Sequence, residues 1–286
     1  MTLTVRENEW MYIDSVLSSA LKEDIGSGDV TTSALVTANR QSGASLVAKD
    51  DFIVAGLPFA DRVFHLVDPG LKFRSLKKEG CRVKAGTVIA TVSGNTAALL
   101  TAERTAVNFL QRLSGIATLT RKYVDAVKGL KVKIADTRKT APGLRYFDKY
   151  AVRAGGGTNH RFGLYDGVLI KDNHIQAAGG IGKAVRLARM RAHHLLKIEA
   201  EAAALAEVSE ALNAGADIIM LDNMPLERIK KAVGLIRGSS SGVIIEASGN
   251  VHLDNVRGIA EAGVDIISVG AITHSAPAAD ISMRFD

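Results

Sequence analysis

The sequence predicts an α/β protein whose larger part is built on a parallel sheet, preceded by a smaller region of helix and antiparallel strand. Two observations carry the parallel sheet. Beyond about residue 131, short apolar runs recur as KVKIAD, YDGVLIK, LLKIEAE, ADIIMLD, GVIIEAS and VDIISVG, and amphipathic helical segments alternate with most of them. Strand–helix alternation of this kind implies right-handed crossovers and a sheet that is either open or closed into a barrel. Two of the strands are also entered alike, as NAGADII (213–219) and EAGVDII (261–267), 48 residues apart. A third observation sets the first part of the chain apart. Residues 44–95 hold β-rich pieces broken by Gly and Pro, read as a mostly antiparallel sheet.

The elements follow in order. Trp10, Ile13, Leu17 and Leu21 fall at helical spacing within residues 8–23. EDIGSGDVTT then breaks that helix with two glycines, and Asp29–Thr32 offers turn and cap chemistry. After the β-rich pieces, TAERTAVNFLQRLSGIATLTRKYVDAV reads as one long helix. It places Val107, Leu110, Ser114 and Ala117 on one face and turns Arg104, Gln111 and Arg112 away. In the second part, Ile181, Ala184, Val185 and Ala188 fit one helix, and Leu205, Val208 and Leu212 a second. Leu226, Ile229, Val233 and Ile236 fit a third, with Pro225 where a first turn accepts it. Residues 131–272 contain no segment of linker character and read as one α/β domain.

With 286 residues, 47% hydrophobic and 23% charged, the chain can bury a sizeable core. No apolar run reaches the roughly 18 residues of a membrane span. The N-terminal stretch lacks the pattern of a secretory signal, and a single cysteine, Cys81, excludes an internal disulfide. A reducing, cytoplasmic location is the expectation. The net charge is +6, and its placement is informative. Between Arg138 and Lys171 seven Lys or Arg face only Asp148 and Asp166. Such concentration points to an anionic ligand rather than a diffusely solvated surface.

In parallel α/β folds ligands bind at the carboxyl ends of strands. Here those ends are polar: KVKIAD runs into Thr137, Arg138 and Lys139, GVLIK ends in Lys171 and KIEAE in Glu201. IIMLD ends in Asp222, IIEAS in Ser248 and DIISVG in Gly270. Alternation puts Glu199 with Glu201, and Glu246 with Ser248, on one face, where a purely structural barrel would carry Val, Ile and Leu. His160 and Arg161 join the cations of the early strands. The glycine-containing turns Ser248–Asn250 and Val269–Ala271 can present backbone N–H groups to a phosphate. Carboxylates beside a phosphate need Mg²⁺, ribose hydroxyls or a cationic transition state for company. These residue types suggest an acidic substrate meeting a phosphorylated sugar.

DTRKTAPGLR (136–145), GGGTNHRFGLYDGVLIKDNHI, EDIGSGDVTT, ERTAVNFLQRLSGIAT, LDNM, EASGN and SVGAITHS together resemble the quinolinate phosphoribosyltransferase family, in one order over nearly the whole chain. The resemblance implies an N-terminal α/β (α+β) domain over 1–115, on which 273–286 packs back, and an open TIM-like α/β barrel over 116–272. It implies transfer of the phosphoribosyl group of phosphoribosyl pyrophosphate (PRPP) to quinolinate with loss of CO₂, giving nicotinate mononucleotide and pyrophosphate on the route to NAD. Mg²⁺ is the implied cofactor, carried by PRPP and with Glu201 and Asp222 as candidate ligands. Arg138, Lys139, His160, Arg161 and Lys171 resemble the quinolinate-binding set, with Thr137 beside them. Glu201 and Asp222 resemble the acidic pair near the ribose, and Ser248, Gly249, Asn250, Val269, Gly270 and Ala271 the 5′-phosphate grip. Lys139, Lys171, Glu201 and Asp222 are the implied catalytic groups. Arg104 resembles an arginine that reaches across a homodimer into a shared site.

Other readings carry less. A paralogue acting on nicotinate, or a molybdenum-associated relative, would keep the scaffold, but the full cationic set favours a dicarboxylate. Nucleic-acid binding would suit the basic segment, yet only 5% of residues are aromatic and no RNP-like or helix-turn-helix pattern occurs. EGCRVKAGTVIATVSG has the grammar of a biotinyl or lipoyl carrier without its lysine hairpin tip. Asp50–Asp51 reads as a strand-end turn, His193–His194 as a helix end, and Cys81 as an inert thiol.

Overall fold

The computed structural model describes residues 3–37, 39–239 and 242–286. The first elements are α1 (Trp10–Ile25), α2 (Val30–Leu35), β1 (Gln41–Ala48), β2 (Phe52–Ile53), α3 (Leu57–Val67), β3 (Lys72–Ser75), β4 (Arg82–Val83), β5 (Val88–Asn95) and α4 (Thr96–Ala126). There follow β6 (Lys133–Ala135), α5 (Arg145–Ala154), β7 (Val168–Ile170), α6 (Asp172–Ala178), α7 (Ile181–Arg191), β8 (Ile198–Ala202) and α8 (Leu205–Asn213). The chain closes with β9 (Ile218–Asp222), α9 (Leu226–Ser239), β10 (Ile244–Ser248), α10 (Val256–Glu261), β11 (Ile266–Ser268), α11 (Ala271–His274) and β12 (Ile281–Phe285). Two compact units result. One takes in the chain up to Arg121 with Thr140–Gly156 and Thr273–Asp286, the other Lys122–Lys139 with Gly157–Ile272.

In the first unit an antiparallel sheet runs β12-β1-β5-β3. Helix α1 buries Ile13, Leu17 and Leu21, and Asp29 caps α2 by accepting from the Thr32 amide at 2.9 Å. Helix α3 lies within the stretch read as strand-rich. Its signal is nonetheless in the sequence: Leu57, Ala60, Val63 and Phe64 recur at helical spacing with Pro58 in the first turn, and all four are buried. Helix α5 sits in sequence between two strands of the parallel sheet but packs in this unit. Its Phe147 and Tyr150 meet Phe59 edge-on with ring centroids 4.9 and 4.8 Å away. Burying a ring of this size is worth about 2–3 kcal/mol. Within α5 the fully buried Asp148 accepts two bonds from Arg112, at 2.9 and 2.8 Å, and one from the Ala141 amide at 3.1 Å. Residues 131–272 are thus not one continuous packing unit: the aromatic face of α5 finds its partners elsewhere.

The second unit holds a six-stranded parallel sheet, ordered β6-β11-β10-β9-β8-β7. β6 and β7 are its two edges, the open form of the TIM-like arrangement. The repeated strand entries have a common physical basis. Asp217 accepts from the Ile198 amide and from Arg189, both at 2.7 Å. Asp265, 48 residues on, accepts from the Ile245 amide and from Arg237, again at 2.7 Å. Each aspartate satisfies the start of the neighbouring strand and anchors the helix before it. Register fixes the faces: Ile198, Ala200, Ile219, Leu221, Ile245, Ala247 and Ile267 are buried on one side. The other side carries Leu169, Glu199, Glu201, Met220, Asp222, Glu246, Ser248 and Ser268.

Candidate active site

Across the carboxyl ends of these strands lies a cavity of about 460 Å³. It is lined by Thr137, Arg138, Lys139, His160, Arg161, Lys171, Glu201, Asp222, Ser248, Gly249 and Asn250, joined by Leu169, Met220, Asn223 and Ser268. The cations come from the edges of the sheet and the carboxylates from β8 and β9.

Local hydrogen bonding explains how segments twenty residues apart in sequence supply one set of cations. Asp136, fully buried at the end of β6, accepts from Asn159 Nδ2 at 2.5 Å and from the His160 amide at 2.9 Å. A parallel bridge between Ala135 and Thr158 continues the same pairing. The TNHR segment is thereby strapped along β6, so that Arg138 and Arg161 become neighbours. Thr137 Oγ1 accepts from the Lys139 amide at 3.0 Å, shaping the turn that presents Lys139. Arg161 donates to the Gly167 carbonyl at 2.8 Å. Burial, then the charge of Arg138, displaces the Arg161 guanidinium downward from its ordinary value. Two like charges held together over a partly dry floor favour an anion between them. Lys171 Nζ lies 2.9 Å from Glu201 Oε1, so the Lys171 ammonium is already partnered.

Beneath this layer Glu199 and Glu246, 4% and 1% exposed, face the sheet interior. His160 Nε2 is 3.2 Å from Glu199 and 3.6 Å from Glu246. These are three groups of metal-ligand type within 4.8 Å of one another. However, His160 Nδ1 accepts from the Arg161 amide at 2.8 Å, which puts the imidazole proton on Nε2, facing the carboxylates. A histidine in that tautomer is a hydrogen-bond donor to Glu199 rather than a ligand. Burial, reinforced by Glu199, raises Glu246 well above the ordinary carboxyl range, with His160 opposing. His160 therefore stands on an acidic floor and contributes to the cavity as an oriented ring.

The turns after β9 and β10 are built on left-handed residues. Asn223, Gly249 and Asn250 have φ of 52°, 87° and 51°. The Asn223 amide donates to the Ser248 carbonyl at 2.9 Å, extending the ladder between the strands by one step.

Other expected positions do not line this cavity. Val269 is buried and its N–H donates to the Ala135 carbonyl at 2.9 Å, so that amide is spent in the sheet and is not offered to a phosphate. Gly270 and Ala271 are not part of the cavity lining, where Ser268 represents β11. Arg104 lies exposed on α4, in the first unit. Conversely, Asn223 and Asp136 escaped the reading of strand ends, whereas Glu199 and Glu246, set on the cavity face by alternation, form its buried acidic floor. Asp136 directly precedes the basic TRK, and Asn223 directly follows Asp222; adjacency was the available signal.

Family models described as quinolinate phosphoribosyl transferase, N-terminal and C-terminal domain, match residues 29–114 and 116–284. A probable nicotinate-nucleotide pyrophosphorylase (carboxylating) of Synechocystis sp. is 50% identical over 275 residues, 96% of this chain and 93% of its own. Its namesake in Bacillus subtilis is 44% identical over 273 residues, again 96% and 93% of the two chains. The structure of the nicotinate-nucleotide pyrophosphorylase from Francisella tularensis superposes with a TM-score of 0.92 at 40% identity, covering 100% of this chain and 99% of that one.

Proposed function

The chain belongs to the quinolinate phosphoribosyl transferase family, and from that premise we propose that it transfers the phosphoribosyl group of PRPP to quinolinate. Decarboxylation accompanies the transfer and yields nicotinate mononucleotide, pyrophosphate and CO₂ for NAD biosynthesis. The observation that carries this reading is one cavity lined by Arg138, Lys139, Arg161 and Lys171 together with Glu201 and Asp222.

The cations accept the two carboxylates of quinolinate and aim its ring nitrogen at C1 of the ribose. The nitrogen lone pair forms the new bond as the bond from C1 to pyrophosphate oxygen breaks. Glu201 and Asp222 stabilise the oxocarbenium-like charge at C1. The alkylated ring is then a pyridinium, able to take up the electron pair left at carbon when the carboxylate next to nitrogen departs as CO₂. A proton replaces it at that carbon, and Lys139 and Lys171 assist at this position. The 5′-phosphate is met by the Ser248–Asn250 turn. Two hard carboxylate oxygens facing a phosphorylated substrate suit Mg²⁺, which usually takes one or two carboxylates and completes its shell with phosphate and water. Glu201 and Asp222 would hold it, and it would neutralise the departing pyrophosphate.

The exposed Arg104 reaches the cavity of a second copy, so the working unit is a homodimer. No described helix is long and apolar enough to cross a membrane. A cytoplasmic place of action belongs to the proposal and rests on the family reading. The test is to mix protein, quinolinate, PRPP and Mg²⁺ and follow CO₂ and nicotinate mononucleotide together. Equal appearance of both supports the reading. Nucleotide formed from nicotinate but not from quinolinate would replace the substrate, and no product from either acid would overturn it.

A further inference from the structure

The side chain of Asn223 ties together two strand-end loops that each supply residues to the cavity. Its Nδ2 donates to Asp222 Oδ2 at 2.9 Å, and its Oδ1 accepts from Asn250 Nδ2 at 3.0 Å. Asn250 in turn has its carbonyl held by Asn255 Nδ2 at 2.9 Å. The backbone is shaped around this link. Asn223 and Asn250 both take left-handed φ, 52° and 51°, a conformation that asparagine tolerates better than other side chains. Gly249 has φ 87° between them, and a Cβ there would sit against Asn223 Oδ1, 2.5 Å from its Cγ and 2.8 Å from its Nδ2. The glycine thus makes room for the carboxamide as well as for the turn.

Two left-handed residues and a glycine without space for a methyl group, all converging on one exposed side chain, are costly for a surface turn. A simple β-strand exit needs none of them. What they achieve is a fixed relation between the Asp222 carboxylate and the Ser248–Asn250 turn. One carboxylate oxygen of Asp222 is held by the amide. The two loops cannot then drift apart, because a single planar group bonds to both.

We propose that Asn223 is a positioning residue that sets the distance between the ribose-facing carboxylate of Asp222 and the phosphate-facing turn at Gly249. It acts as a spacer for the sugar-phosphate half of PRPP and leaves the quinolinate half alone. The inference rests on the reading of Asp222 and Ser248–Asn250 given above. The cations that would hold quinolinate come from the segments after β6 and β7 and share no hydrogen bond with Asn223, so the two substrates should respond differently.

Asn223→Gly keeps the left-handed backbone without strain and removes only the carboxamide. Asn223→Asp keeps the shape and the acceptor for Asn250 but sets a carboxylate against Asp222. Steady-state kinetics on both, with each substrate varied in turn, tests the idea. Asn223→Gly should raise KM for PRPP by roughly tenfold, as loss of two hydrogen bonds, one to a charged group, implies. KM for quinolinate should stay within about twofold, and the unfolding midpoint should fall only modestly, in a single cooperative transition. Asn223→Asp should be more impaired than Asn223→Gly. Asn223→Ser, which can still donate to Asp222, should recover part of the loss. Unchanged kinetics in the glycine variant would overturn the proposal, as would equal rises in both KM values. Wild-type protein without activity would instead count against the reading of the reaction itself.

Discussion

A methyl group added at Gly249 gives the sharpest test of how the pocket rim is held. The residue has φ 87°, so an alanine there costs about 1–2 kcal/mol in backbone strain alone. The new Cβ would also fall 2.5 Å from Asn223 Cγ, far inside normal contact, and force the carboxamide away. Asn223 would then lose its bonds to Asp222 and Asn250. Both partners are at the surface, which puts the two bonds together at the low end of their range, about 1–2 kcal/mol. Gly249→Ala should therefore lose about 3 kcal/mol in urea unfolding. In the Asn223→Gly background the obstruction is gone and only the φ cost remains, about 1–2 kcal/mol. The two substitutions should be non-additive by about 1.5 kcal/mol in a double-mutant cycle. Additivity within about 0.5 kcal/mol would refute the close approach of Asn223 to Gly249.

Other consequences concern separate parts of the molecule. Arg112→Met leaves the buried Asp148 carboxylate with only the Ala141 amide among its described partners, and should cost about 3 kcal/mol in thermal or urea unfolding. Glu246, raised to about 8, keeps a proton in the folded state that the unfolded chain has lost above its ordinary 4.5. Stability should therefore fall as pH rises between those values; Glu246→Gln removes that slope and should gain on wild type by at least about 1–2 kcal/mol from pH 5 to pH 8, read by melting at each pH. Lys171→Ala removes a substrate cation and strands Glu201, whose side chain is only 13% exposed, so kcat/KM for quinolinate should drop on the order of a hundredfold. Arg104→Ala and Lys139→Ala should each be nearly inactive, whereas a re-equilibrated mixture of the two should regain activity, up to about a quarter per site, through mixed dimers.

The sequence by itself determined the class of fold and most of the chemistry. Period-two and helical patterns follow from burying one face of an element, and they are local, so the six strands from KVKIAD to VDIISVG were legible without coordinates. The cations of TRK and NHR and the carboxylates of Glu201 and Asp222 were legible for a related reason. In a parallel sheet every strand points its carboxyl end to the same side, so strand-end residues must converge. Tertiary structure alone decided what depends on partners distant in sequence. Helix α5 follows β6 in the chain, yet its Phe147 and Tyr150 pack against Phe59, which no local pattern near residue 147 could announce. Val269 looks like a phosphate-binding amide in its own stretch, but pairing with Ala135 uses up its N–H. His160 looks like one more cation until Glu199, Glu246 and the Arg161 amide surround its ring and fix where its proton sits. In each instance the deciding interaction is a hydrogen bond or a packing contact that spans strands. Its energy depends on distance and orientation in space, quantities that the order of residues along one strand does not carry.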